Sequence, residues 1–137
     1  MAIRSVELFT GAGGLALGLE KVGCHHVAMV EYNAPACDTI RYNMTRKQEL
    51  AKDWALYQSD VRAIKYGEIA ESIDLVAGGP PCQPFSMGGK ARGKNDSRDM
   101  FPEAVRAVRE LRPRYFVFEN VKGLLRESFA SYFNYIV

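Results

Sequence analysis

The stretch Ser5-Val6-Glu7-Leu8-Phe9-Thr10-Gly11-Ala12-Gly13-Gly14 leads from an apolar run into a glycine-rich turn. Ser5–Phe9 is predicted to be a first strand, and Leu15–Val22 a helix. Three apolar residues share one face of that helix: Leu15, Leu19 and Val22. Glycines at such a junction let the backbone turn and approach a ligand without a Cβ clash. The stretch therefore predicts a strand–turn–helix unit with a ligand at the turn.

Strand and helix signals alternate along the rest of the chain. Further strands are predicted at His26–Val30, Leu56–Ser59, Ile73–Ala77 and Tyr115–Phe118. Helices are predicted from the capping residue Asn33, with Pro35 in the first turn, to about Tyr42, and over Phe101–Leu111. The polar stretch Met44–Ala55 is expected to be a surface insertion. Such alternation is typical of an α/β fold, a doubly wound and mostly parallel, Rossmann-like sheet with helices on both faces.

The composition is that of an ordinary domain. The chain has 137 residues, of which 47% are hydrophobic and 25% charged, so it can bury a core and is not expected to be disordered. No apolar run approaches the ~20 residues that cross a bilayer. Met1–Val6 lacks a signal-peptide pattern, so a cytoplasmic protein is expected. Three cysteines without a framework spacing fit a reducing compartment. A net charge of +2 identifies no partner.

No metal site is predicted. Cys24, His25 and His26 are adjacent on a strand, where neighbouring side chains face opposite ways. These residues, and Cys37 on its helix, are expected to be structural.

Two acids follow predicted strands and are expected beside the glycine turn. Glu31 ends the second strand, and Asp60 follows the third. Ligands of open α/β sheets bind at the carboxyl ends of the strands, where an acid can accept from ribose hydroxyls. The pattern Gly11-x-Gly13-x-x-Ala16 also fits a loose dinucleotide fingerprint, so NAD remains an alternative ligand at this point.

The segment Gly78-Gly79-Pro80-Pro81-Cys82-Gln83-Pro84-Phe85-Ser86 follows the apolar strand Ile73–Ala77. Prolines fix φ and stiffen the loop, so Cys82 is interpreted as a nucleophile presented at a strand end. A buried packing cysteine is the alternative, because free cysteines are commonly buried and inert. The glycine-containing segment Ser86–Asp99 carries an excess of basic residues, as a nucleic-acid contact or a solvated connection would.

Together these motifs resemble a known family. The motifs that match, in order and at fitting spacing, are Phe9-x-Gly11-x-Gly13-Gly14, Glu31, Asp60, Pro80-Pro81-Cys82-Gln83, Asp96-x-Arg98 and Glu119-Asn120-Val121. They closely resemble the N-terminal part of the cytosine-C5 DNA methyltransferases, from Val6 to about Leu125. The resemblance implies a class I methyltransferase fold, S-adenosylmethionine as cofactor, DNA containing a target cytosine as partner, and a prokaryotic cytosol or nucleoid as location.

The resemblance also implies roles for individual residues. The cofactor-binding residues would be Phe9, Thr10, Gly11, Gly13, Gly14, Glu31, Tyr32, Asp60, Val61, Pro80 and Met100. Glu31 would hold the ribose hydroxyls, Tyr32 the adenine face, and Asp60 the adenine amino group. Plain core packing is the alternative for Tyr32 and Met100. The residues expected to contact DNA phosphates are Ser86, Lys90, Arg92 and Lys94.

The catalytic residues would be Cys82 and Glu119. A thiolate that adds to carbon 6 of cytosine makes carbon 5 nucleophilic, and Cys82 would supply it. Glu119, at the end of the fifth strand and beside the fourth, would neutralise ring nitrogen 3. Its carboxyl would have to be protonated, which burial favours. A helix-capping or salt-bridged acid is the alternative. Asn120 is expected to fix the loop.

The resemblance further implies that residues 1–137 are part of a catalytic domain, without a target-recognition domain and with a sheet incomplete on its C-terminal side. The strand Tyr115–Phe118 would then be an exposed edge. Apolar residues at helical spacing follow it: Phe129, Tyr132, Phe133 and Ile136. The chain is expected to need a complementary polypeptide or to self-associate, and to be inactive alone. A transfer-RNA cytosine-C5 methyltransferase fragment and a non-catalytic, cofactor-binding interaction module remain alternatives.

Overall fold

In the computed structural model, which describes residues 2–46, 49–69, 72–81 and 99–136, five parallel strands form one sheet. The strands are β1 (Ile3–Leu8), β2 (Cys24–Glu31), β3 (Leu56–Gln58), β4 (Leu75–Gly78) and β5 (Tyr115–Phe118). The helices are α1 (Gly14–Lys21), α2 (Ala34–Thr45), α3 (Phe101–Leu111) and α4 (Ala130–Ile136). The predicted α/β class and the predicted strands are therefore confirmed.

The strand order is β3-β2-β1-β4-β5, so the chain moves outward in one direction from β1 and in the other from β4. The point where the order reverses lies between β1 and β4, whose last residues Leu8 and Gly78 are paired. A Cβ at Gly78 would overlap the carbonyl oxygen of Leu8, so only glycine allows this approach. Doubly wound sheets bind ligands outside the strand ends at this reversal.

The two faces of the sheet bury different layers. On one face, Val6, Leu8 and Val76 pack with residues of α3 such as Ala107, and with the short helical turn that contains Tyr66. On the other face, a second cluster joins α1, α2 and β2; its buried members are Ala16, Met29, Ile40, Ala51 and Trp54. A sheet that is covered on both faces explains why β1 and β4 bury most of their side chains.

Local signals account for the helix starts. Asn33 caps α2, as predicted, because its side chain accepts a hydrogen bond from the Ala36 amide at 3.0 Å. Asp99 accepts from the Phe101 amide at 3.1 Å at the start of α3. Its other oxygen accepts from the Tyr132 hydroxyl, which ties α4 to the start of α3.

Two expectations were wrong. Met44–Ala55 is not a surface insertion, because Ala51 is 1% and Trp54 is 5% exposed, in the core between α1 and α2. Val22 does not share the buried face of α1, since the helix ends at Lys21 and Val22 is 73% exposed. The polar composition of Met44–Ala55 indicated an exposed segment, but one buried tryptophan is enough to fix a polar stretch against the core.

Candidate cofactor site

The turn between β1 and α1 has an unusual backbone. Phe9, Gly11 and Gly13 have φ values of 55°, 59° and 91°, in the left-handed region. Glycine adopts such values freely, but Phe9 does so at a cost in free energy, and strain of this kind is concentrated at functional sites. The buried Thr10 fixes the turn to β2, because its amide donates to the Val30 carbonyl at 3.3 Å. The turn is therefore held in a conformation that the chain would otherwise avoid.

Glu31, the last residue of β2, connects the turn to the next loop. One carboxylate oxygen accepts from the Gly11 amide at 2.7 Å, and the other accepts from the Asn33 amide at 2.7 Å. A carboxylate has about four lone-pair positions, so each oxygen can accept one further hydrogen bond. Glu31 thus has its orientation fixed and still has acceptor capacity for a ligand.

Asp60, after β3, is held by Arg62. Its carboxylate accepts from the Arg62 amide at 2.9 Å and from the guanidinium Nε of Arg62 at 2.9 Å. The hydrogen bonds from Arg62 lower the pKa of Asp60 to about 2. Asp60 is therefore an ionised acceptor at any ordinary pH.

A pocket of about 670 Å³ opens along this edge of the sheet, and we call it the rim pocket. Its lining residues come from the ends of β1, β2, β3 and β4 and from the start of α3: Phe9, Val30, Glu31, Tyr32, Asn33, Asp60, Val61, Arg62, Gly79, Pro81 and Met100. A cavity of this size fits a drug-sized ligand. Its two carboxylates can accept hydrogen bonds and its exposed aromatic ring can stack, a combination that suits a nucleoside.

The structure brings together six of the predicted cofactor residues in the rim pocket: Phe9, Glu31, Tyr32, Asp60, Val61 and Met100. Tyr32 is 75% exposed, so core packing does not account for it. Met100 both lines the pocket and packs against the core. The remaining predicted residues shape the walls rather than line the cavity: Thr10, Gly11, Gly13, Gly14 and Pro80.

The predicted reaction centre is only partly described. Cys82 and the predicted DNA-contacting residues Ser86, Lys90, Arg92 and Lys94 lie outside the described residues. Glu119 follows β5 beside β4, as predicted, and its amide donates to the Gly78 carbonyl at 2.9 Å. Its Oε2 would lie 3.6 Å from a Cβ built on Gly79. Glu119 is exposed within the described part of the chain.

Asn120 behaves as expected for a residue that fixes the loop. Its side-chain oxygen accepts from the Val121 amide at 2.6 Å.

Sequence reasoning missed two residues beneath the turn. Glu7 on β1 is fully buried, and neither carboxyl oxygen makes a hydrogen bond of ordinary geometry with the described residues. Burial raises the pKa of Glu7 to about 8, an effect that the backbone of Ala16 only partly offsets. Trp54 packs against Gly13 from the core side. A charged residue inside an apolar strand was the available signal for Glu7.

The residues expected to be structural include three that are buried: Cys24, His26 and Cys37.

Within the described residues, no three or more His, Cys, Asp or Glu side chains group in a way that could hold a metal ion. None of the helices in those same ranges has the length and apolar character needed to span a membrane.

The strand order, the glycine turn and the rim pocket define a Rossmann-like fold of the class I methyltransferases, which use S-adenosylmethionine. A solved structure described as a prophage-encoded DNA modification methyltransferase of E. coli superposes with a TM-score of 0.76 at 28% identity, over 98% of this chain and 36% of that one. A glycopeptide N-methyltransferase, MtfA, solved with S-adenosylmethionine, shares the fold with a TM-score of 0.58 at 17% identity over 86% of this chain and 47% of that one.

Residues 3–137 match the family model described as C-5 cytosine-specific DNA methylase, and the chain belongs to that family. It is similar to the Type II methyltransferase M.NgoMIV of Neisseria gonorrhoeae, at 47% identity over 99% of this chain and 41% of that protein. Among the curated relatives, the matched part is between 27% and 52% of their own length. The family match supports S-adenosylmethionine, rather than NAD, as the cofactor.

Proposed function

We propose that this chain is the cofactor-binding and nucleophile-bearing part of an enzyme that methylates carbon 5 of cytosine in DNA. The observation that carries the proposal is the rim pocket, in which Glu31, Asp60 and the strained Phe9 meet at the carboxyl ends of β1, β2 and β3, beside the reversal point of the sheet. Such a pocket suits a nucleoside cofactor, and the family of the chain gives the reaction.

The rim pocket has the acceptors that a nucleoside needs. Glu31 has acceptor positions left after binding the Gly11 and Asn33 amides, and these would receive the ribose hydroxyls. Asp60, an ionised acceptor oriented by its hydrogen bonds from Arg62, would accept from the adenine amino group. The exposed ring of Tyr32 would cover an adenine face. S-adenosylmethionine, when bound, supplies the methyl group.

Cys82 and Glu119 would act on the cytosine. The Cys82 thiolate adds to ring carbon 6, which moves electron density to carbon 5 and lets it take the methyl group. Glu119 supplies a proton or hydrogen bond at ring nitrogen 3 and so stabilises the negative charge of the adduct. Loss of the proton from carbon 5 then expels the thiolate and restores the ring. Pro80 and Pro81 stiffen the connection from β4 to Cys82.

DNA is the proposed substrate, and the chain would work where DNA is, in a prokaryotic cytosol or nucleoid. A paired cytosine must leave the duplex before Cys82 can reach carbon 6, at a cost of a few kcal/mol. Ser86, Lys90, Arg92 and Lys94 would contact phosphates, and such contacts position DNA without reading its sequence.

A complementary polypeptide is proposed to cover β5. Among the described residues, β5 pairs only with β4, and its outer edge has no neighbouring strand. Tyr115, Phe116 and Val117 are 66%, 44% and 52% exposed, on both faces of the strand. An apolar strand edge of this kind favours pairing with another chain. In self-association, a second copy of the chain would pair with the same edge of β5.

The test of the reaction is a covalent adduct. The chain is mixed with S-adenosylmethionine, duplex DNA containing 5-fluorocytosine, and any co-encoded polypeptide. Fluorine at carbon 5 cannot leave as a proton does, so the thioether to Cys82 persists and is located by mass spectrometry. Cys82→Ser should abolish the adduct. Cys37→Ser is the matched control and should leave it unchanged, because Cys37 is buried and burial raises its thiol pKa. An adduct that survives Cys82→Ser would overturn the proposal.

The test of the partner surface is oligomeric state. We expect the chain alone to bind cofactor weakly, to associate at micromolar concentration and to lack activity on plain duplex DNA. Val117→Lys places a charge on β5 and should reduce association by light scattering; Leu17→Lys, on the exposed side of α1, should not. A monomeric wild-type chain that methylates DNA would contradict a need for any partner.

A further inference from the structure

Trp54 is the only tryptophan of the chain, and it lies beneath the glycine turn. A Cβ built on Gly13 would be 2.9 Å from Cζ3 and 3.2 Å from Cη2 of the indole, and 3.6 Å from the Ile40 side chain. Distances this short mean that the indole edge occupies the space against the Gly13 backbone. The indole is therefore in direct van der Waals contact with the turn that forms one wall of the cofactor site.

The other side of the indole is fixed by polar groups. Its Nε1 donates to Oε2 of Glu20 on α1 at 3.3 Å, and its ring meets the His26 ring edge-on, with centroids 5.9 Å apart. His26 is itself held between the Ser5 hydroxyl at 3.0 Å and the Ala16 carbonyl at 3.1 Å. The indole thus has one orientation, set by α1 and β2, and cannot rotate away from Gly13 without breaking these contacts.

The contact acts on the side of the turn opposite the cofactor site. Gly13 is two residues from Gly11, whose amide orients Glu31, and four residues from Phe9, which lines the rim pocket. The left-handed conformation of Phe9 needs support from its surroundings, because it is not locally stable, whereas Gly11 and Gly13 adopt theirs freely. Removing the indole edge would leave a space into which the turn could relax.

We propose that Trp54 is a positioning residue for the cofactor: its indole edge holds Gly13, and through it Gly11 and Phe9, in the conformation that binds the nucleoside. This inference rests on the proposed function, since it needs the rim pocket to be the cofactor site. Trp54 does not line the rim pocket. Ordinary core packing predicts a different result, a loss of stability with no change in the affinity of the folded protein.

The first experiment separates these two roles with Trp54→Phe. A phenyl ring keeps an aromatic group in the core but is too short to reach Gly13, and it lacks the donor to Glu20. We expect the dissociation constant of S-adenosylhomocysteine, measured by calorimetry on the folded chain, to rise about tenfold. Met44→Ala is the matched control, because Met44 packs in the same cluster but is not among the nearest neighbours of Gly13. It should lower stability and leave the affinity unchanged.

The second experiment measures the coupling between Trp54 and Gly13. Gly13→Ala adds a Cβ to a residue at φ 91° and drives it into the indole. In the Trp54→Phe background the overlap is relieved and only the backbone strain remains, so Gly13→Ala should weaken binding by a smaller factor there. A double-mutant cycle isolates this difference, because backbone strain is present in both backgrounds.

The outcomes are distinct. If the wild-type chain and Trp54→Phe bind S-adenosylhomocysteine equally, or if the two substitutions are additive, the positioning role is wrong and the cofactor site stands. If the wild-type chain does not bind at all, the rim pocket is not the cofactor site, and both proposals fail. If Trp54→Phe does not fold, Glu20→Ala, which removes the acceptor of the indole together with the carboxylate beside His26, should still weaken binding; unchanged affinity in that variant would also overturn the role.

Discussion

The buried carboxyl of Glu7 should make the stability of the chain fall as the pH rises. Glu7 is fully buried on β1 and has no hydrogen-bond partner of ordinary geometry in the described structure. Burial raises its pKa from 4.5 to about 8. A carboxyl whose pKa is higher in the folded than in the unfolded chain stabilises the fold fully at pH values below its unfolded-state pKa. This stabilisation is lost as the pH rises toward the folded-state pKa.

The magnitude follows from the two pKa values. Between them the unfolded chain is ionised at Glu7 and the folded chain is not, so the free energy of unfolding falls by about 1.4 kcal/mol per pH unit. From pH 5 to pH 8 this amounts to roughly 3 to 4 kcal/mol, a large part of the stability of an ordinary domain. Glu7→Gln removes the titration with little change of shape, and should therefore be more stable than the wild type at pH 8.

The assay is urea denaturation of both proteins, followed by circular dichroism at several pH values between 5 and 8.5. His26 faces the same side of the sheet as Glu7, and burial lowers its pKa. Its titration therefore lowers the free energy of unfolding as the pH falls, which is opposite to the effect of Glu7. Glu20, 3.8 Å from His26, is the other charged group of that layer. Because both remain in Glu7→Gln, the difference between the two curves isolates Glu7. Parallel pH profiles for the two proteins would refute the reasoning.

Four further substitutions test the fold and the rim pocket. Gly78→Ala should destabilise the chain by more than about 3 kcal/mol, because its Cβ would overlap the Leu8 carbonyl. Gly18→Ala, whose Cβ would meet nothing within 4 Å, should instead stabilise α1 by about 0.5–1 kcal/mol. Urea denaturation would measure both changes, and equal effects of the two substitutions would contradict the packing at Gly78. Asp60→Asn keeps the bond from the Arg62 amide but loses the charge, and should weaken S-adenosylhomocysteine binding about tenfold by calorimetry; unchanged affinity would remove Asp60 from the site. Arg106→Lys should cost about 2 kcal/mol by urea denaturation, because lysine cannot replace the guanidinium bonds to the Val61 carbonyl at 2.8 Å and the Ile64 carbonyl at 3.2 Å; full stability in Arg106→Lys would show that these bonds contribute nothing.

The sheet could be predicted because its signals are local. β1, β4 and β5 are short apolar runs, and α2 begins at an asparagine with a proline in its first turn. The convergence of Glu31 and Asp60 also followed from topology, because strand ends of a parallel sheet share one rim. These parts required only the type and order of the elements.

The parts that were missed depend on tertiary contacts. Trp54 lies in a polar stretch, and no periodicity marks it as a core residue; only the fold brings it against Gly13. Glu7 reads as one polar position in an apolar strand, and its burial depends on the layer that α1 forms above it. Arg62 lowers the pKa of Asp60 from two residues away, through a pairing that the local turn creates.

The two carboxylates of the rim pocket and the β5 edge lie on opposite sides of the reversal point of the sheet. The two carboxylates of the pocket belong to the β1-β2-β3 side, where each already has partners within the chain: Gly11 and Asn33 for Glu31, and Arg62 for Asp60. Glu119 instead follows β5, which exposes apolar side chains on both faces and leaves the carboxyl exposed. The cofactor side thus has an internally supported geometry, whereas β5, although Phe118 packs against α4, keeps its other side chains exposed in the described structure. A polypeptide that pairs with β5 would bury Glu119 and favour its protonated form, as the proposed reaction needs. Binding of S-adenosylhomocysteine should therefore be largely independent of such a partner, while formation of the Cys82 adduct should depend on it.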